Sequence, residues 1–266
     1  MAARINHLAI SSTEYALEGK FYERIFGLRQ NTIRGAGFAI TVGDGYMGIN
    51  INPRSAGRQA GFDHYGIQVD DVEDTLERMR QKYPECRTLK RPSNRPFAGL
   101  STHDPDGNLF DLSQSNMENR GGIYEDGEWD QPRTVSHFAL RTMNPERVAQ
   151  FYMDVFDLKL LNEPTADGYR NLSDGRITMV LMPWIIDDFA DTGICRPGPD
   201  HIGFKVESVD AVKEELEFAA RQNPYFRTMP VGVNPEGEAR QKLMQKCPFG
   251  HFQFADPDGV LLDISE

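Results

Sequence analysis

Two imidazoles and one carboxylate occur in the same order twice along this chain: His7, His64 and Asp111, then His137, His201 and Asp263. Their surroundings recur with them. Arg95 to Gln114, RPFAGLSTHDPDGNLFDLSQ, lies without gaps on Cys247 to Glu266, CPFGHFQFADPDGVLLDISE, with nine of twenty positions identical. DHYGIQVDDV from Asp63 answers DHIGFKVESV from Asp200, and INHLAI from Ile5 answers VSHFAL from Val135. Four of the six histidines therefore fall at equivalent places of an internal repeat, and each copy adds an acid. Two imidazoles and a carboxylate can hold a divalent metal on one side and leave positions open for substrate. Asp111 gives an independent reason. It shares a strand face with Leu109 and Ser113 inside an apolar run, where an unpaired carboxylate costs several kcal/mol, so something positive is expected to meet it.

The elements that must position these groups are legible from periodicity. Ile5, His7 and Ala9 alternate with Asn6, Leu8 and Ile10, which predicts a first strand. Ser12-Thr13-Glu14 then offers a helix start, Leu17, Phe21, Ile25 and Phe26 fall on a helical stripe, and Gly27 supplies a left-handed end. The spacing predicts helices over 15–26 and 145–156, and polar amphipathic ones over 71–82 and 209–221. Short runs at 37–42 and 46–51, parted by Gly43-Asp44-Gly45, read as a hairpin. The order strand, helix, three strands is thus expected four times. Two modules, 1–115 and 134–266, are joined by a linker at 116–133 containing Gly121-Gly122.

Composition removes several function classes. The net charge is −11, from 40 acids against 29 bases, and no Lys/Arg run exceeds a dipeptide, which leaves little for a phosphate backbone to bind. No apolar stretch approaches a membrane span, and the chain passes directly into the strand bearing His7, which predicts a soluble, cytoplasmic protein without a signal peptide. Cys86, Cys195 and Cys247 are odd in number and share no CxxC spacing, so they read as free thiols.

The four repeated units, the middle His of DHYGI and DHIGF, and the DPDG turn with an acid four residues after its Gly resemble the vicinal oxygen chelate superfamily over nearly the whole chain. That superfamily includes glyoxalase I, extradiol ring-cleaving dioxygenases, epimerases and thiol-transferring resistance proteins. The resemblance implies an α+β fold in which each module builds a half-open antiparallel barrel, or cup, from two βαβββ units. It also implies one divalent metal per active module, held by His7, His64 and Asp111 or by His137, His201 and Asp263, with Fe(II) or Mn(II) favoured over Zn or Ni. The chain departs from the family in having Asp rather than the usual Glu. The strand carrying a fourth glyoxalase ligand offers only Asn50 or Asn52 in the first copy and nothing in the second. The Tyr that extradiol enzymes place ten residues before the carboxylate is replaced by Ser101 and Gln253.

Further residues suggest substrate contacts. His251 lies on the run leading to the second DPDG turn, on the alternating face of Gln253, and can serve as a proton donor or acceptor. Met179, Met182, Trp184, Phe249 and Phe252 would line the second cup and suit a hydrophobic or aromatic small molecule. Arg91 and Arg95 flank the first and can clamp an anion, and His103 reads as a turn residue. The sequence therefore predicts a metal-dependent enzyme acting on a small vicinal-oxygen substrate, with dioxygenase chemistry ahead of a lyase, isomerase or epimerase, and a non-catalytic binding or resistance protein third. The expected partner is the small-molecule substrate, with neither nucleic acid nor membrane; a homo-oligomer is compatible with the sequence, which does not set the oligomeric state.

Overall fold

The computed structural model describes residues 3–30, 39–91, 98–114, 130–161 and 167–266. The first module runs β1 (Arg4–Ser12), α1 (Tyr15–Phe26), β2 (Arg29–Gln30), β3 (Ile40–Gly43), β4 (Gly48–Pro53), then β5 (Gly61–Val69), α2 (Val72–Lys82), β6 (Leu89–Lys90), β7 (Leu100–His103) and β8 (Leu109–Gln114). The second runs β9 (Thr134–Thr142), α3 (Pro145–Phe156), β10 (Lys159–Leu160), β11 (Arg170–Ser173), β12 (Thr178–Pro183) and α4 (Ile186–Thr192). It continues with β13 (Gly198–Lys205), α5 (Val209–Gln222), α6 (Pro235–Met244), β14 (Phe252–Ala255) and β15 (Leu261–Ser265).

Each module is one open sheet, in the orders β2-β3-β4-β1-β5-β8-β7-β6 and β10-β11-β12-β9-β13-β15-β14. The sheets are mixed. β1 pairs parallel with β4 and β5 with β8, as do β9 with β12 and β13 with β15, because the two strands of each pair are the first and last of one unit and a helix crosses between them. The remaining pairings are antiparallel.

Helices α1 and α3 match the spacing of their apolar stripes. α1 ends at Gly27 in the left-handed region (φ 65°), and α3 starts behind Asn144, whose side chain accepts from the Arg147 N–H. The expected Ser/Thr cap of α1 is not formed by the residue at its boundary, Glu14; instead the Ser12 hydroxyl accepts from the Glu14 N–H. The fourth unit departs most from expectation. Its first short strand is reduced to a single bridge between Met229 and Ala255, and α6 is inserted before β14. The linker over 116–133 lies mostly outside the described residues.

The two modules share one apolar core. Phe26 of α1 stacks on Phe204 of β13 at 3.8 Å, and Phe110 of β8 meets Phe156 of α3 at 5.6 Å. Each first helix also reaches the DPDG turn of the other module: Tyr22 donates to Asp256 (2.8 Å), and Tyr152 to Asp104 (3.3 Å). Glu18 is buried beside Asp256. Burial first, then the hydrogen bond and charge of Asp256, push the Glu18 carboxyl far up, so it is protonated at neutral pH. A group whose folded value is raised stabilises the fold below its unfolded value and loses that contribution as pH rises. Glu18→Gln, which keeps the shape and removes the proton to be lost, is expected to melt higher than the parent at pH 8, with the gap closing toward pH 5. Thermal melts across this range check the sign.

Candidate functional site

The residues expected to hold metal are brought together by strand register. In the first sheet His7 stands opposite Gly66, Gly66 opposite Asp111, and Asp111 opposite Ser101. In the second the row is His137, Gly203, Asp263 and Gln253. The second histidine of each set, His64 or His201, sits two residues before the glycine and so on the same strand face. The glycine makes the row possible: a Cβ on Gly66 would lie 1.9 Å from His7 Cε1, and one on Gly203 would lie 1.9 Å from His137 Cε1. An imidazole therefore lies across the neighbouring strand, where any other residue would displace it.

Every one of the four imidazoles is steered by the residue just before it. His7 Nδ1 pairs with Asn6 Oδ1 (2.9 Å), His64 with Asp63 Oδ2 (2.7 Å), His137 with Ser136 Oγ (3.0 Å) and His201 with Asp200 Oδ1 (2.6 Å). This leaves each Nε2 turned toward the carboxylate, the orientation expected of metal-ligating histidines.

The second cup is the more deeply buried. His137 Nε2 lies 3.6 Å and His201 Nε2 3.9 Å from Asp263 Oδ2, and Cys247 Sγ is 3.7 Å from His137 Nε2. One donor atom from each of these four buried residues lies within 4.8 Å of the other three. His201 Nε2 and Asp263 Oδ2 are buried without a hydrogen-bond partner, while Oδ1 of the same carboxylate accepts from Gln253 Nε2 at 2.9 Å. At 3.9 Å the two atoms are too far apart to hydrogen-bond to each other and leave a gap that a cation can fill, and a hydrogen bond left unmade at a buried polar atom costs about 1–3 kcal/mol. Behind His201, Asp200 also binds Arg141 Nε and Arg240 Nη2, each at 2.8 Å. Burial works against charge on His201, yet the Asp200 hydrogen bond, with the Cys247 thiol adding, pushes it up to about 10. Burial raises the Cys247 thiol, but His137 and His201 outweigh it and bring it down to about 7.

The first cup is arranged differently. Asp111 Oδ2 lies 3.3 Å from His64 Nε2, 3.9 Å from His7 Nε2 and 3.1 Å from Arg91 Nη2, and Ser101 Oγ donates to its other oxygen. Burial favours the neutral acid, but the His64 hydrogen bond and charge win and hold Asp111 below the usual carboxylate range. His7 is driven down to about 3, chiefly by burial, and is neutral. The positive partner expected for Asp111 is thus already supplied by Arg91 and His64, and a metal would compete with a guanidinium.

Of the other residues singled out in the sequence, Met182 and Phe249 fall in the second cup. They pack with Ala139, Tyr169, Val180 and Cys247 in a small apolar cluster apart from the main core, and the Phe249 ring lies 5.5 Å from that of His137. Gln253 reaches Asp263. Trp184 donates through Nε1 to the Ile194 carbonyl (2.8 Å) and ties down the loop after α4. Phe252 does not line the cup: one residue out of phase with Gln253, it packs against the main core, with Lys213 Nζ 4.9 Å from its ring. Met179 is turned to the core for the same reason. His251 sits exposed in the bend before β14, not on the strand, and its N–H donates to the Ile264 carbonyl. His103 is the last residue of β7 rather than part of the turn, with Nδ1 paired to the Asp104 carbonyl and Nε2 accepting from the Arg87 N–H, and Arg95 lies outside the described residues. Sequence reasoning missed the placement of Cys247, Arg141 and Arg240, all features of the second module.

The model of the Glyoxalase/Bleomycin resistance protein/Dioxygenase superfamily matches residues 4–112 and 134–264, so the chain belongs to that superfamily. Comparison with curated protein sequences finds none that matches. Among solved structures, the Mn(II)-bound glyoxalase from Novosphingobium aromaticivorans superposes with a TM-score of 0.64 at 16% identity, over 98% of this chain and 81% of that one. Homoprotocatechuate 2,3-dioxygenase from Arthrobacter globiformis gives 0.61 at 17%, over 98% and 78%. The 2,3-dioxygenase LapB from Pseudomonas sp. KL28 gives 0.59 at 18%, over 98% and 91%. At these identities the likeness is one of fold. Among the described residues no helix is long and apolar enough to cross a membrane.

Proposed function

We propose that this chain is a divalent-metal-dependent enzyme whose working centre is the second cup. It binds a small apolar or aromatic substrate through two adjacent oxygens and, as the finer reading, oxygenates it. The observation that carries the proposal is the pair of orphaned buried atoms, His201 Nε2 and Asp263 Oδ2, facing one another beside His137. His137, His201 and Asp263 would hold the ion, which when bound supplies Lewis acidity and a template for the two oxygens. The chain's own residues do the rest. Asp200 and Ser136 fix the ring orientations of His201 and His137, Gln253 holds the inner oxygen of Asp263, and Arg141 with Arg240 neutralise Asp200 behind the site. Phe249, Met182 and Tyr169 present an apolar wall that excludes water and suits a ring. An oxygenase role accords with the three-residue His-His-Asp set, which leaves room for substrate and dioxygen together, and with a fold shared with ring-cleaving dioxygenases.

One observation favours the redox-neutral alternative, a lyase, isomerase or epimerase: Cys247 brings a fourth donor into the cup and leaves fewer positions free. Oxygen uptake separates the two. With iron- or manganese-loaded protein and a panel of catechols, hydroquinones, 2-oxoaldehydes and hydroxyketones, the oxygenase reading expects oxygen consumed in proportion to a catechol or hydroquinone. Turnover of a carbonyl substrate that proceeds equally under nitrogen overturns it in favour of the alternative.

A further inference from the structure

We infer that Cys247 is a fourth protein ligand of the second cup, so that its resting metal site is His137, His201, Asp263 and a cysteine thiolate. The inference rests on the proposal that this cup holds metal, and not on which reaction it performs.

One donor atom from each of the four residues lies within 4.8 Å of the other three, close enough for a single ion to reach all of them. Metal bonds of about 2.0–2.3 Å to imidazole, carboxylate and thiolate put the donors of a tetrahedron roughly 3.3–3.8 Å apart. The measured separations are 3.6 Å from His137 Nε2 to Asp263 Oδ2, 3.7 Å from His137 Nε2 to Cys247 Sγ and 3.9 Å from His201 Nε2 to Asp263 Oδ2. Two of these atoms, His201 Nε2 and Asp263 Oδ2, belong to fully buried side chains and have no hydrogen-bond partner. The thiol, in contact with His137 Nε2, thus shares the cup with two atoms that make no hydrogen bond.

The chain also contains the means to put it there. Among the described residues α6 has no counterpart in the first module; Asn234 caps its start by accepting from the Gly237 N–H, and Arg240 ties it to Asp200 beside His201. A turn from the Met244 carbonyl to the Cys247 N–H then brings the thiol inward. Gly250, three residues on, lies so close to Asp263 that a Cβ there would sit 1.6 Å from Oδ1, which fixes the segment against the carboxylate. Arg95, the position equivalent to Cys247 in the repeat, offers the first module no such donor.

A thiolate makes the site softer, so it favours zinc or cobalt over manganese more than two imidazoles and a carboxylate alone would. The test compares full-length parent, Cys247→Ala and Cys247→Ser after loading with cobalt or zinc. In the parent, Co(II) is expected to give a thiolate-to-metal charge-transfer band in the near ultraviolet, which both variants lack. Zinc should protect Cys247 from iodoacetamide in the parent, as mapped by peptide mass, while exposed Cys195 labels at the same rate with or without it. Removing the thiolate should lower zinc affinity by at least about tenfold, and manganese affinity by much less. Thermal melts confirm that both variants fold, and the protection experiment needs no variant at all. Metal bound at full stoichiometry with no such band and Cys247 alkylated at its metal-free rate overturns the inference and leaves the metal-centre proposal standing. Failure of the parent to bind any metal overturns both.

Discussion

Asp263→Asn is expected to lower metal affinity at least about tenfold while leaving the fold in place. Asp263 is fully buried; Oδ1 is held by Gln253, and Oδ2 makes no hydrogen bond, with only the His137 and His201 imidazoles at 3.6 and 3.9 Å beside it. Asparagine keeps the volume, and its amide oxygen can still accept from Gln253. What it loses is the charge that a cation needs. Asp263→Glu restores the charge on a longer arm, so it should keep metal, with altered turnover. The arm is crowded, because the carboxylate already packs on the Gly250 backbone, and overpacking of this kind costs about 1–3 kcal/mol. A purely structural Asp263 predicts the reverse order: Asn tolerated with metal retained, Glu unfolding the module. Metal titrations and melts of the two variants distinguish these outcomes.

Gly203→Ala should be as damaging as the loss of a ligand. The added Cβ would lie 1.9 Å, 2.0 Å and 2.3 Å from three atoms of the His137 ring, which is fully buried and has Phe249 beside it. The ring has nowhere to retreat, so either the strands part or the imidazole leaves the cup. We expect a stability loss of about 3 kcal/mol or more together with loss of metal. Gly66→Ala provides the control, since its Cβ meets His7 at the same 1.9 Å. It should cost similar stability but leave metal in the second cup. Equal loss of metal from both variants would contradict the assignment of the centre to the second module.

These two residues show how far the sequence could be read. The helices with strong apolar stripes and clear ends, 15–26 and 145–156, are those that the structure shows, because local periodicity and tertiary burial agree there. α4 and α6 escape such a reading. Among their residues only Met244 is buried, and α6 is held by the Asn234 cap and by the Arg240–Asp200 ion pair, neither of which has a periodic signature. The His-His-Asp sets were legible because duplication marked them twice. The glycines of DHYGI and DHIGF lie two residues after the second histidines, yet their purpose depends on cross-strand register, which sequence spacing does not reveal. The polar residue preceding each histidine was a usable local signal for ring orientation. Cys247 had none: its partners lie on β9, β13 and β15, and its equivalent in the repeat is Arg95. Phe252 and Met179 were misplaced by a single step of strand phase, whereas His251 was misplaced because the chain bends before β14 begins.

Elemental analysis of three proteins made in metal-supplemented medium tests most directly whether the second cup is the metal centre. The parent is expected to carry about one ion per chain, His64→Ala to keep it, and His201→Ala to lose it together with turnover. Metal retained by His201→Ala but lost from His64→Ala would contradict the account.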